Sequence, residues 1–313
     1  GERLMDEARI PVDLFNPGQV FACLGFLEAA EILLGQAEGG FDWSDEADVR
    51  FVLRAEGEAD PVREVLGFLA TARIASIEPA KRFGSSAETD DMGEAGGDDP
   101  TETDDRGEAT DEAAMDILER IGSDTFPAPR PDEKGNALPV RLLNGDGKGI
   151  ADLTHWWDGS GRSAFKLYSG NRSALKIARH MQRCITDLWK TDRDILAARP
   201  FDTLVAMGGS FNLDPRGAWV ALDAGYSPDA QNHRVQASPV VELLAAWGLE
   251  DARPKAKGSV HHYAAWREVV PLLLARPAVA CAPLPISMRR FCFELAYSGK
   301  NKIVTFAYEE NAG

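Results

Sequence analysis

ARIPVDLFNPGQVFACLGFLEAAEILLGQ, residues 8–36, is the stretch from which the fold class is read. A short extended run meets a turn at Asn16, Pro17 and Gly18. Val20, Phe21, Leu24, Leu27 and Leu34 then recur at the spacing of an apolar helix face, which predicts a buried scaffold element. Working outward, FDWSDEADVRFVLRAEG (41–57) alternates at Val49, Phe51 and Leu53, as strand and hairpin material does. DPVREVLGFLATARI (60–74) returns to helix, with Asp60 as cap and Pro61 in the first turn. Strand, helix, strands, helix in that order is an α+β pattern, with mixed sheets and packed helices.

The far end gives the clearest β-signal. RRFCFELAYSGKNKIVTFAYEE (289–310) has two alternating runs around SGKN, which predicts a C-terminal β-hairpin with Lys300 and Lys302 at its tip. Between the two ends, PVRLLNGDGKGIADLTHWW (139–157) reads as strands around a Gly-rich turn. Its GDGKG lacks the P-loop spacing and the Ser or Thr after Lys that would engage magnesium, so it is a turn. Residues 201–239 read as loops and short strands, and VVELLAAWGLEDARP (240–254) as a helix stopped near Gly248 and Pro254.

An apolar fraction of 44% over 313 residues supports a substantial core. The net charge of −16 is unevenly spread: Glu88 to Asp116 holds thirteen acids and one base, Arg106. Such a low-complexity acidic segment predicts a disordered insert or linker over 85–110, between an α+β region at 1–84 and a second at 111–313 that carries a basic helix. A short helix, DEAAMDILERIG (111–122), is expected at its end. Cys23, Cys184, Cys281 and Cys292 form no CxxC pair, which suggests ordinary packing in a reducing compartment. No secretion signal is visible at the start. The apolar stretch 269–286 is broken by Arg276 and several prolines, which excludes a clean membrane span. The expected location is the cytoplasm.

Charge reverses locally between Gly161 and Lys190, where seven Lys or Arg face one acid. ALKIARHMQRCITDLWK (174–190) predicts an amphipathic helix with Leu175, Ala178, Met181, Ile185 and Leu188 on one face. Arg172, Lys176, Arg179 and Arg183 follow at steps of three or four, a basic face opposite the apolar one. Ser169, Asn171 and Ser173 are N-cap candidates. A helix start followed by guanidinium groups suits phosphate oxygens, and the competing reading is a solvated surface face. Trp156, Trp157, Phe165 and Tyr168 precede the helix, either as stacking platforms for single-stranded bases or as core. Asn212 and Arg216, in GGSFNLDPRGAW (208–219), belong to a Gly-led loop that approaches a nucleic-acid backbone or simply forms a tight turn.

Candidates for catalysis are sparse. His155 with Asp152 and Asp158 is the nearest local metal set, and His261 with His262 the only adjacent pair among five histidines. Neighbouring side chains diverge on a helix or strand, so one of that pair is structural. No GxSxG, HExxH, Rossmann or kinase pattern is present, and no cofactor is called for.

Five segments taken together, IPVDLFNPGQVFACLGFLEAAE, SGNRSALKIARHMQ, FNLDPRGAWVALDAGYSP, PVVELLAAWGLEDARP and RRFCFELAYSGKNKIVTFA, resemble a family of CRISPR-associated proteins from type I-U systems, also called type I-G. The likeness runs from about Ile10 to the end, apart from the acidic insert. It implies a compact large subunit of a guide-RNA surveillance complex, without catalysis of its own. Such a subunit contacts guide RNA and target DNA beside the target-adjacent motif, meets other subunits, and helps recruit a helicase-nuclease. The nucleic-acid contacts would fall on Asn171, Arg172, Ser173, Lys176, Arg179, Arg183, Asn212, Arg216, Lys300 and Lys302. This chain departs from the usual large subunit by ending in a hairpin rather than a helical bundle. A metal-dependent nuclease or hydrolase and a purely structural assembly subunit are the alternatives.

Overall fold

Asn16, a few residues past the end of the first strand, starts a helix. Its side-chain oxygen accepts from the Gln19 amide at 3.1 Å, and Pro17 occupies the first turn, where a missing N–H costs nothing. The helix α1 (Pro17–Leu34) is buried on every side from Pro17 to Ala30. A helix apolar all round is a core helix, and the rest of the chain is arranged about it. The computed structural model describes residues 4–79, 120–123, 138–154, 156, 165, 167–168, 173–206, 209–217, 236–298 and 301–310. The acidic insert at 85–110 lies outside the described residues, as do Arg172, Asn171 and Lys300.

Three antiparallel or mixed sheets pack with the helices. The first has order β1-β3-β2-β12, from β1 (Met5–Pro11), β2 (Ala37–Asp42), β3 (Arg50–Glu56) and β12 (Val270–Pro271). Phe41 and Phe51 face each other across β2 and β3, and Trp266 stands edge-on to Phe41 while its indole N–H donates to the Gly39 carbonyl at 2.8 Å. The second has order β10-β11-β13-β14, from β10 (Lys255–Lys257), β11 (Val260–Trp266), β13 (Met288–Ser298) and β14 (Asn301–Val304), with β15 (Tyr308–Glu309) also on β13. β13 and β14 are the expected C-terminal hairpin, with Tyr297 opposite Lys302.

The third sheet has order β5-β4-β6-β7, from β4 (Arg73–Pro79), β5 (Arg120–Ser123), β6 (Val140–Leu143) and β7 (Gly149–Leu153). The Gly-rich segment is the turn between β6 and β7, with Gly147 at φ 80°. Asp60 caps α2 (Pro61–Thr71) through bonds from the Val62 and Arg63 amides, as the sequence indicates. Two boundaries differ from expectation. The helix reading of 60–74 overruns, because Arg73 already begins β4. The end of the helix expected over 111–122 is instead β5, paired in parallel with β4 from Ser76 opposite Arg120 to Pro79 opposite Ser123. A free edge on β4 offers its backbone partners there, and Gly122 is a poor helix former.

The helix α3 (Ala174–Ala198) packs on α2 and touches β4. It breaks at Asp192, which leaves helical geometry at φ −156° and ψ 85° and recaps the last turns by accepting from the Asp194 and Ile195 amides. The helix α4 (Pro239–Gly248) is buried at every position and crosses α1 closely. A Cβ on Gly25 would lie 2.0 Å from the Leu244 carbonyl oxygen, and one on Gly248 would lie 2.2 Å from that of Phe21. Only glycine lets the two backbones meet there. The apolar stretch 269–286 folds as β12 and α5 (Leu272–Val279). A two-stranded pair, β8 (Val205–Ala206) with β9 (Gln236–Ala237), completes the set.

The fold is α+β, and one hydrophobic core runs from Ile10 to Ala307 through both predicted regions. Arg276 on α5 ties into it by a forked pair with buried Glu28 of α1, both contacts at 2.7 Å. Among the described residues, α1 is the helix long and apolar enough to cross a membrane, and 78% of that window is buried inside the fold. Core burial explains its composition without a bilayer.

Candidate nucleic-acid interface

Ser173 is the N-cap of α3: its side chain accepts from the Lys176 amide at 3.2 Å. From there Leu175, Ala178, Met181 and Ile185 are buried, and Leu188 packs partly against the core. The apolar face is as the spacing predicts.

The basic row divides. Lys176 and Arg183 are exposed. Arg179 is half-buried, and its Nε and Nη2 donate to the Ile74 carbonyl at 3.2 and 3.1 Å. Three residues advance a helix by about 300°, which carries Arg179 off the Lys176 line and toward β4. The expectation of one basic face opposite the apolar one therefore holds for Lys176 and Arg183 but not for Arg179. Seven residues advance it by nearly two full turns, so Lys176, Arg183 and Lys190 share one stripe. Lys190 is also exposed, and exposed Asp187 lies beside the stripe. Lys190 is legible in the sequence as the next seven-residue step after Arg183.

The aromatic platform is not formed by the residues that suggested it. Trp156, Phe165 and Tyr168 are 2%, 5% and 3% exposed. Trp156 stacks on Phe211 at 5.1 Å and Phe165 meets Phe21 edge-on, so these rings fill the core beneath the helix start. Trp157 lies outside the described residues. Tyr297, 65% exposed and cross-strand from half-buried Lys302, is an aromatic face that periodicity alone did not single out.

The loop at 211–217 is a tight turn in the fold's interior. Asn212 adopts φ 60°, its side-chain oxygen accepts from the Ser210 hydroxyl at 2.8 Å, and its carbonyl accepts from the Val304 amide at 3.1 Å. Arg216 forks onto buried Asp214, with Nη2 also reaching the Phe201 carbonyl at 2.7 Å. Asp214 in turn accepts from the Asn16 side chain and the Ser238 amide. Glu242 of α4 accepts from the Leu213 and Asp214 amides at 3.1 and 2.8 Å. Complete burial raises its carboxyl pKa to about 8, with the Asp214 charge adding to the rise and the backbone donors opposing it. The Arg216 guanidinium and the Asn212 carbonyl thus belong to a polar node that joins α1, α4 and β14, while the Asn212 side-chain amide donates to the Leu167 carbonyl at 3.5 Å.

The hydrolytic candidates are dispersed. Asp152 is held by Arg141 in a forked pair at 2.6 and 2.7 Å, while His155 and Asp158 lie outside the described residues. His261 and His262 point to opposite faces of β11, as strand alternation requires. His261 is 5% exposed, stacks on Phe293 at 5.4 Å, and has its pKa lowered by burial. His262 faces away from that core, with Nδ1 at 2.5 Å from Glu310. A cleft of about 470 Å³ between α1, α2 and α3 is lined by Arg63, Glu64, Phe68, Trp189 and Arg193. It brings no histidine or cysteine to its lining.

Comparisons with protein families, curated proteins and solved structures find no match. The geometry therefore stands by itself. What it offers a ligand is an exposed cationic stripe on a long rigid helix, and a neighbouring hairpin with an exposed ring. Lys302 links the two, since its amide donates to the Leu167 carbonyl at 3.0 Å, a few residues before the helix start.

Proposed function

We propose that this chain is a non-catalytic, nucleic-acid-binding subunit of a type I CRISPR guide-RNA effector complex acting in the cytoplasm. The observation that carries the reading is the exposed stripe Lys176, Arg183 and Lys190 on α3, in a chain whose net charge is −16. Cations spaced along a rigid helix neutralise successive phosphates and displace their counterions, a favourable term that needs no base contact. Lys302 and Tyr297 add a charge and a stacking face on the hairpin. In such a complex base pairing reads the target, while the protein holds backbone and reads the adjacent motif.

Four of the five segments that resemble the type I-U family also meet in space. Asn16, Asp214 and Glu242 come from three of them and share one buried hydrogen-bond node, and the Val304 amide of a fourth bonds to Asn212. Segments that pack on one another are expected to be constrained together, which favours reading them as one scaffold.

The test is what the chain carries from its own cell. Co-expressed with its neighbouring genes and purified through a tag, it is expected to bring down repeat-derived guide RNA and the other subunits. Recovery of the chain without RNA, or with random cellular RNA alone, would count against the reading. In trans recruitment of a helicase-nuclease is then measured by adding that enzyme to the target-bound complex.

A further inference from the structure

His262, Cys292 and Glu310 come from far-apart positions in the chain to one spot on the second sheet. β11, β13 and β15 are neighbours there, and His262 pairs across strands with Cys292, which pairs with Tyr308 on its other side. Phe291 and Phe293 face the core, so alternation turns Cys292 to the opposite face, the face of His262. Glu310 lies two residues beyond Tyr308 and is anchored by its amide on the Arg290 carbonyl at 2.8 Å. One ligand atom from each of His262, Cys292 and Glu310 lies within 4.8 Å of the other two.

From this convergence we propose that His262, Cys292 and Glu310 bind a zinc ion, with the fourth position open to solvent. The donor set is imidazole nitrogen, thiolate sulfur and carboxylate oxygen. That mixture suits zinc and excludes magnesium and calcium, which take oxygen. Bonds of about 2.0–2.3 Å in a tetrahedron place donors roughly 3.5 Å apart. The side chains of His262 and Glu310 are 22% and 31% exposed, so both rotate to close the remaining gap, while Cys292 at 4% exposure supplies the fixed inner ligand. A thiolate and a carboxylate balance the ion's charge. Lys255, cross-strand from His262, and Arg290 are exposed cations on this side, where solvent screens their charge. Cys281, at φ 59° after α5, senses Arg290, Glu310 and Lys255 but lies outside the three-residue cluster. The ion pins the end of the chain to the centre of the second sheet, next to the hairpin proposed to touch nucleic acid.

The experiment uses the full chain, freed of metal by chelation and then titrated with zinc and, separately, with cobalt(II). One equivalent of zinc is expected to survive desalting. Cobalt is expected to give d–d bands of a tetrahedral site and a thiolate-to-cobalt charge-transfer band. Cys292→Ser should abolish the charge-transfer band, and His262→Gln and Glu310→Gln should each weaken binding at least tenfold. Cys281→Ser should leave the band and the stoichiometry unchanged. Thermal unfolding of each metal-free variant separates lost ligation from lost folding, and the Glu310→Gln change, at a half-buried position outside the hydrophobic core, gives a variant that keeps the core intact. No stoichiometric metal in the wild-type chain would overturn the proposal, as would a thiolate band that persists in Cys292→Ser or vanishes in Cys281→Ser alone.

Discussion

The guanidinium of Arg179 donates through Nε and Nη2 to the carbonyl oxygen of Ile74, at 3.2 and 3.1 Å. One member of a basic row is thereby committed to the joint between α3 and β4. Hydrogen bonds from a charged donor to a buried carbonyl contribute about 1.5–3 kcal/mol, whereas an exposed lysine contributes within about 0.5 kcal/mol. Arg179→Ala should therefore lower the urea midpoint by that larger amount at unchanged slope, and Lys176→Ala should barely move it. Equal effects would place both residues in the same role.

The crossing of α1 and α4 depends on absent side chains. Gly25→Ala puts a Cβ about where the Leu244 carbonyl oxygen stands, 2.0 Å away, so backbone must shift. A loss near the top of the roughly 1–3 kcal/mol range for overpacking is expected, read from thermal or urea unfolding. Gly145, with nothing within 4 Å of its added Cβ, is the control and should tolerate alanine.

Glu242 makes stability depend on pH. Its folded pKa is about 8 because burial penalises the carboxylate, against an ordinary value of 4.5. Between those values the unfolded chain has released the proton and the folded chain still holds it. The contribution is therefore fully present below the ordinary carboxyl range and is lost as pH rises toward 8, a change on the order of 5 kcal/mol from this one group. Glu242→Gln should flatten that part of the profile and gain on the wild type at the alkaline end. Urea unfolding at intervals from about pH 5 to 9 checks it, and parallel curves for the two proteins would contradict the assignment.

Arg276 and Glu28 join α5 to α1. Burial raises the Glu28 pKa, and the Arg276 guanidinium opposes that rise. Arg276→Ala leaves a buried carboxylate without its main partner and should cost about 2–3 kcal/mol, less than for a fully buried pair because Arg276 is partly exposed. Adding Glu28→Gln should recover part of the loss. A double-mutant cycle showing simple additivity would mean that the pair is not coupled.

The elements legible in the sequence were those whose signals are local. Asp60 with Pro61, the alternation around Phe51, and the two runs that pair from Leu295 with Val304 to Ser298 with Asn301 each specify their own backbone, and each is where the sequence places it. Asn16 stands at a turn predicted from the sequence, and in the fold it closes a turn onto Asp13 and caps α1. The misplaced parts depend on distant partners. Arg120–Ser123 becomes a strand because β4 has a free edge, which no window around residue 120 reveals. Trp156, Phe165 and Tyr168 have the composition of a stacking surface, and only packing against Phe211 and Phe21 shows them as core. Arg216 and Asn212 look available in a Gly-led loop until Asp214 and Val304 meet them. The basic helix itself was visible, but which of its cations stay in solvent was decided by β4.

The salt dependence of nucleic-acid affinity tests the central claim most directly. Fluorescence anisotropy with labelled single-stranded RNA is measured across a salt series for the wild-type chain and for Lys176→Glu, Arg183→Glu, Lys190→Glu combined. If these three residues engage phosphates, affinity falls and the slope of log K against log salt becomes shallower by about 2, from roughly 0.7 per single-strand contact. An unchanged affinity with an unchanged slope would contradict the account.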